Sequence, residues 1–290
     1  MTSKAPYMKK PEWLKVKIEN PRNLNQVNAL IQSLNLNTVC HGANCPNRLE
    51  CFSKKTTTFM ILGGVCSRHC TFCNIESGVL LPPDLTEPYR VAEAVEKLEL
   101  KHAVVTSVTR DDLADGGAQQ FAQTIIEIKK RCPNTTVEVL IPDFQGNLEA
   151  LKCVIDAKPH IINHNVETVQ RLYDTVRPEA DYEQSLTLLK RVKVLAPEII
   201  VKSGFMLGLG ENKAEVLQLI HDLKNTQIDI LTIGQYLPPS DQHAPLVEYV
   251  HPDTFKELGD YAKSIGIANV ASAPLVRSSY NAQEVYSEHL

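Results

Sequence analysis

Residues 58–73 read TFMILGGVCSRHCTFC. The first half is an apolar, β-rich run that closes on Gly63 and Gly64. The second half sets three cysteines, Cys66, Cys70 and Cys73, at spacings of four and three. A short apolar run bounded by glycines reads as a buried strand. The thiols therefore fall in the loop at the C-terminal end of that strand, where parallel α/β folds place their chemistry. Whether such a fold is present depends on the pattern of the remaining chain.

From residue 91 onward helix and strand alternate. VAEAVEKLEL (91–100) reads as an amphipathic helix, HAVVTSVT (102–109) as a strand and GAQQFAQTIIEIKKR (117–131) as a helix. Then come TTVEVLIP (135–142), NLEALKCVIDA (147–157), HIINHNV (160–166) and YEQSLTLLKRVKVLA (182–196). EIIVKSGFMLG (198–208), KAEVLQLIHDLKNT (213–226), DILTIGQYL (229–237) and PDTFKELGDYAKSIG (252–266) continue the pattern, and ANVASAPLV (268–276) is a last short apolar run. Strand and helix in strict alternation imply a parallel sheet covered by helices, and near-continuous apolar strands imply burial on both faces. No G-x-G-x-x-G follows the first strand, which disfavours dinucleotide binding. A complete barrel needs eight units. There is room for six, so a partial (βα)6 TIM-type barrel over 57–276 is expected, with an N-terminal extension over 1–56 and a tail over 277–290.

The 290 residues carry a net charge of −4 and 43% hydrophobic residues, which suits one globular core and gives no bulk attraction to nucleic acid or anionic lipid. No apolar run approaches the roughly 18 residues of a membrane span. The first twenty residues hold five lysines and two glutamates but no secretory h-region. A cytoplasmic protein is expected, with neither nucleic acid nor membrane as partner.

Six of the eight cysteines lie between 40 and 73. In a protein of this kind such clustering signals metal or redox chemistry rather than disulfides. Cys132 and Cys153 stand alone and read as packing residues. Cys66, Cys70 and Cys73 supply three soft ligands. Structural zinc takes four, commonly from paired C-x2-C knuckles, whereas three thiolates on a four-iron cluster leave one iron open. Cys40, Cys45 and Cys51 repeat the count in VCHGANCPNRLECF. Their neighbour His41 is poorly placed as a fourth ligand and reads as structural.

Cys-x3-Cys-x-Phe-Cys after the first strand of a six-unit barrel resembles the radical S-adenosylmethionine superfamily. Together with Cys-x4-Cys-x5-Cys ahead of it and RSSY at 277–280, it resembles the lipoyl synthase family. KPEWLKVKI, TSVTRDDLADGGA, NHNVET, VRPEADY, KSGFMLGLGE and GQYLPPS extend the likeness along nearly the whole chain. The resemblance implies two [4Fe-4S] clusters and S-adenosylmethionine. Cys66, Cys70 and Cys73 would hold the radical generator, whose open iron chelates S-adenosylmethionine. Cys40, Cys45, Cys51 and Ser279 would hold an auxiliary cluster that is consumed as the sulfur source. The 5′-deoxyadenosyl radical would remove hydrogen from C6 and C8 of a protein-bound octanoyl-lysine, and two sulfurs would be inserted to give lipoyl-lysine. The implied partners are octanoylated lipoyl carrier domains of 2-oxoacid dehydrogenase E2 subunits or the glycine-cleavage H protein, an electron donor and an iron–sulfur cluster carrier.

Cofactor contacts are expected from Phe72 beside adenine, Asn165 and Glu167 at the ribose or methionine, Lys202 at the methionine carboxylate, and Gln235 with Tyr236. Arg110, Asp111 and Asp112 read equally as binding or helix-capping residues, and His164 as a hydrogen-bonded structural histidine. The N-terminal extension is expected to form part of the carrier-docking surface, which deletion of residues 1–35 would test. The competing readings are a biotin synthase-like sulfur-insertion enzyme, which lacks the N-terminal cysteine set, a methylthiotransferase, which would add an RNA-binding domain, and a zinc-stapled binding protein.

Overall fold

The computed structural model describes residues 9–15, 21–54, 57–279 and 282. Among these residues seven parallel strands run in chain order: β1 Thr58–Ile61, β2 His102–Ser107, β3 Thr136–Leu140, β4 Ile161–Asn163, β5 Ile200–Leu207, β6 Ile230–Gln235 and β7 Asn269–Ser272. The two-residue strand Asn37–Thr38 adds antiparallel to the free side of β1, so the extension joins the sheet rather than standing apart. Between the seven lie six long helices, α1 Glu87–Lys97, α2 Ala118–Arg131, α3 Leu148–Asp156, α4 Tyr182–Leu195, α5 Lys213–Asn225 and α6 Pro252–Ser264, with the one-turn helix Tyr173–Val176 ahead of α4. Six βα units closed by a seventh strand, each strand beside its predecessor, give the partial barrel expected.

Alternation along the strands separates inside from outside. Thr58 and Met60 of β1, Val104 and Thr106 of β2, and Gly204 and Met206 of β5 line one internal cavity. Their neighbours Phe59, Ile61, Val105 and Leu207 are buried in the hydrophobic core and do not line the cavity. The helices start where capping chemistry allows. Asn147 accepts from the backbone N–H of Glu149 and Ala150 at α3, Asp181 from Gln184 at α4, and Asn212 with Glu215 forms a capping box at α5. α1 begins at Glu87, four residues before the apolar periodicity suggests, because Pro88 is tolerated in the first turn.

The N-terminal extension and the segment after β7 meet beside β1. Pro21–Ser33, Val39–Gly42 and Arg48–Ser53 are helical. After β7 the chain folds back, with Gln235 N donating to Pro274 O at 3.2 Å. Gly234 makes this possible, since a Cβ there would collide with Val276 O. Tyr280, the last residue of the RSSY motif, lies outside the described residues. No helix among the described residues is long and apolar enough to cross a membrane.

Candidate active site

Leu62 and Gly63, both at positive φ, turn the chain out of β1 into the first cysteine loop. The loop is tied down along its length. Ser67 N and Oγ both donate to Thr109 O at 3.0 Å, and Thr71 N donates to Val176 O at 3.0 Å. The backbone N–H groups of Thr109 and Arg68 point at Cys66 Sγ from 3.3 and 3.5 Å and fix its position in the loop.

Arg68, inside the motif, is the strongest anchor. Its Nε and Nη2 reach the Asp111 carboxylate at 2.6 and 3.0 Å, and its Nη1 and Nη2 reach Asp143 at 2.7 Å each. One buried guanidinium thus joins the cysteine loop to the loops after β2 and β3. Burial pushes the Asp143 carboxyl up, but its bonds to Arg68 win and hold it at about 2. Asp111 is thus neither a free ligand nor a helix cap, and Arg110 pairs with Asp112 at 2.8 Å. The sequence offers no signal for this clamp, because its carboxylates lie 43 and 75 residues away.

The second cysteine set rests on two short helices. Cys40 belongs to Val39–Gly42, Cys51 to Arg48–Ser53, and Cys45 lies between them. His41 is held by Thr38, with Nδ1 2.9 Å from Oγ1, and packs edge-on against Phe52. Asn74, directly after Cys73, donates to Gly42 O at 2.8 Å and fastens one set to the other. Asn47 donates to Leu275 O at 2.7 Å, and Thr58 Oγ1 donates to Ser279 Oγ at 2.8 Å. The C-terminal tail is thereby bonded to the first strand and to the second cysteine set.

All six clustered cysteines and Ser279 line a single cavity of about 890 Å³, at the upper end of the range for small-molecule sites. Cys132 and Cys153 do not line it. Burial raises Cys40, takes Cys70 to about 11 and takes Cys51 and Cys73 to about 12. Bare, these thiols are not nucleophilic thiolates; deprotonation would have to be driven by a metal. Among the described residues no three His, Cys, Asp or Glu side chains converge as ligands of a single ion do. A cubane asks for less convergence, because each thiolate serves its own iron corner.

Four expected contacts line the cavity: Phe72, Asn165, Glu167 and Tyr236. Asn165 Nδ2 donates to Glu167 Oε1 at 3.0 Å, and Glu167 sits at φ 65° against β5. Burial raises the Glu167 carboxyl, opposed by Arg177. Arg177, missed from sequence, also lines the cavity and bonds Asn165 O at 3.1 Å and Tyr173 OH at 3.0 Å. His164 donates from Nδ1 to Ile141 O at 2.9 Å, and burial beside Arg177 lowers it to about 4. It is therefore a neutral, hydrogen-bonded ring. His164 Nε2, Asn165 Oδ1, Arg177 Nε and Asn47 Oδ1 are buried, belong to residues that line the cavity and have no hydrogen-bond partner among the described residues. Such orphans beside two cysteine sets fit a polar cofactor and clusters.

Two expected contacts do not line it. Lys202 is the third residue of β5, not a residue beyond the strand, and is 1% exposed. Its Nζ pairs with Glu138 Oε1 at 2.9 Å, and His102 Nε2 meets Glu138 Oε2 at 2.9 Å. Burial raises Glu138, but Lys202 and His102 outweigh it and hold the carboxyl at about 2. Lys202 is thus engaged in an ionic layer between strands and does not reach a methionine carboxylate. Gln235 is fully buried; Nε2 donates to Leu207 O, Tyr236 O and Glu248 O at 3.0 Å each, and Oε1 accepts from Val250 N at 2.8 Å. It staples the segment after β6 and does not line the cavity.

The Radical SAM superfamily model matches residues 60–223. A lipoyl synthase of Alkaliphilus metalliredigens is 57% identical over 97% of each chain. One from Caldanaerobacter subterraneus is 56% identical over 95% of this chain and 96% of that one. Among solved structures, HydG, a maturase of the [FeFe]-hydrogenase, superposes with TM-score 0.59 at 18% identity, over 79% of this chain and 53% of that one. Streptococcus suis SuiB bound to S-adenosylmethionine gives TM-score 0.58 at 12% identity, over 87% of this chain and 60% of that one. The chain thus spans between half and two thirds of those two structures, and at such identities they speak for the fold alone.

Proposed function

The chain belongs to the lipoyl synthase family of radical S-adenosylmethionine enzymes, and from that premise we propose that its cavity inserts two sulfur atoms, at C6 and C8, into a protein-bound octanoyl-lysine. The observation that carries the reading is the meeting of both cysteine sets and Ser279 on one cavity wall. Two [4Fe-4S] clusters, when bound, supply the electron that cleaves S-adenosylmethionine and the sulfur that is inserted. A saturated C–H is beyond any side-chain base, which is why the family uses radical chemistry.

The chain's own residues divide the labour. Cys66, Cys70 and Cys73 hold the generator's cluster; Cys40, Cys45, Cys51 and Ser279 hold the donor's. Ser279 would contribute a hard oxygen where iron–sulfur chemistry favours soft ligands, and so a weaker hold on the donor cluster. Phe72 and Tyr236 give S-adenosylmethionine apolar walls. Asn165, Glu167, His164 and Arg177 face its polar parts, with the neutral His164 ring available as an acceptor at Nε2. The substrate is a lipoyl carrier protein, and E2 lipoyl domains and the glycine-cleavage H protein both present the required lysine. An electron donor and a cluster carrier complete the cycle, in the cytoplasm.

The test is iron and labile sulfide per chain after anaerobic reconstitution, for wild type and for Cys40→Ala/Cys45→Ala/Cys51→Ala. Two four-iron clusters give about eight irons, falling to about four in the variant, with S-adenosylmethionine cleavage kept and sulfur insertion lost. About four irons in both proteins would remove the donor. A colourless, zinc-loaded wild type would favour the zinc-stapled reading.

A further inference from the structure

The RSSY motif enters the site through Ser279, which leaves its first residue without a task. Arg277 lines the same cavity as the two cysteine sets. Its guanidinium lies against the backbone of β6, with Nη1 3.2 Å from where a Cβ on Gly234 would stand. Nη1 donates to Val276 O at 2.7 Å and approaches Pro274 O at 3.5 Å, both in the turn that carries the tail back from β7. Nε and Nη2 donate to no described residue, and among the described residues no carboxylate pairs with Arg277.

The arginines of the two cysteine motifs are thus built in opposite ways. Arg68, in the first, is engaged by Asp111 and Asp143, so it brings no net positive charge to its loop. Arg277 is tied only to its own turn, and its charge faces the cavity. The negative groups it meets are Cys45 and Glu167, which oppose the lowering that burial imposes on the guanidinium. An arginine keeps its proton at neutral pH even so. Arg177 acts on Cys70, in the first set, so the charge beside each set can be altered separately.

Three thiolates outweigh the charge of an oxidised four-iron core, so the assembled donor is an anion, and an added electron makes it a stronger one. A cation at short range favours both the assembly and its reduction. We propose that Arg277 is a positioning residue for the donor cluster: it holds that anion against the tail beside Ser279 and raises its reduction potential. The proposal rests on the function proposed above, since it needs a cluster on Cys40, Cys45, Cys51 and Ser279. A serine oxygen is a weak ligand in such a cluster, and an attraction acting from two residues along the same tail offsets that weakness.

The experiment is an EPR-monitored redox titration of the full-length protein after anaerobic reconstitution. Cys66→Ala/Cys70→Ala/Cys73→Ala isolates the donor, and Cys40→Ala/Cys45→Ala/Cys51→Ala isolates the generator. Each background receives Arg277→Gln, which removes the charge, and Arg277→Lys, which keeps it. The expected result is a donor with a more negative midpoint potential in Arg277→Gln and one near wild type in Arg277→Lys, with the generator unmoved by either. A donor potential unchanged in Arg277→Gln overturns the proposal, and so does an equal shift of both clusters. Weaker S-adenosylmethionine binding with an unchanged donor potential overturns it too, and places the guanidinium on that cofactor. Where Arg277→Gln fails to retain the donor, Arg277→Lys decides. About four irons at the wild-type potential in the donor background support the charge, whereas loss of iron in both variants assigns Arg277 to packing. Wild-type protein that carries both clusters yet inserts no sulfur sinks the function alone, and the potentials still decide what Arg277 does.

Discussion

The two cysteine sets have the same ligand count and opposite construction. Cys66, Cys70 and Cys73 occupy one eight-residue loop that leaves β1 and is pinned to neighbouring barrel loops by Arg68, Ser67 and Thr71. Cys40, Cys45 and Cys51 sit on short helices outside the barrel, and Ser279 reaches them from the far end of the chain. The first set leaves a strand that is paired on both sides, with β2 and with Asn37–Thr38. The second is assembled where the two chain ends meet, through single hydrogen bonds. On the function proposed above, the set that would keep its cluster is the one bonded to the barrel loops, and the set that would give its cluster up is the one held by the chain segments outside the barrel.

Arg68 offers the largest way to break this contrast. Arg68→Gln leaves Asp143 buried without its cation, and removing one partner of a buried pair costs about 3–5 kcal/mol. The denaturation midpoint should fall accordingly, and the iron of the first set should be lost before that of the second. Arg68→Lys should rescue poorly, since one ammonium cannot serve two carboxylates through a planar fork. Asp143→Asn in the Arg68→Gln background should recover part of the stability. Equal loss of both clusters would mean that the first set is not separately anchored.

Gly234 breaks the other side. In Gly234→Ala the new methyl collides with Val276 O, a backbone atom that can move only if the tail moves. Such overpacking costs about 1–3 kcal/mol. Iron analysis should show the second set depleted and the first retained, with S-adenosylmethionine cleavage persisting after sulfur insertion has failed. A variant with both clusters intact would show that the tail does not close the second site.

What the sequence displayed and what it hid divide along the same physical line. Apolar runs, glycine punctuation and cysteine spacing are local, and they placed the first six barrel strands, the six long helices and both cysteine sets, while β7 read only as a last short apolar run. Contacts closed by distant residues were invisible. Lys202 resembles a strand-end residue because a charge inside a barrel is normally too costly, yet Glu138, 64 residues away, makes its burial tolerable. Gln235 looked like a site residue for the same reason, and its partners lie partly on a segment that ends at Val250. Arg68 stood in plain view inside the motif, but nothing local says that it clamps two neighbouring loops. The Thr58–Ser279 bond joins residues 221 apart, so only the family resemblance brought Ser279 into the site.

The smallest predicted effect is the sharpest test of how far the two sets are independent. Asn47 is buried, lies between Cys45 and Cys51, and holds the tail through one bond to Leu275 O. Asn47→Ala removes that bond and leaves the carbonyl unpaired, a cost of about 0.5–1.5 kcal/mol. That is too little to unfold the barrel but enough to raise the open population of the tail by roughly two- to tenfold. Chelator-driven iron release from the second set should accelerate by that factor while release from the first is unchanged. Faster release from both would run through Asn74, whose bond to Gly42 O is the hydrogen bond described between the two loops. In that case Asn74→Ala added to Asn47→Ala should uncouple them, returning the first set to its wild-type rate while the second stays fast.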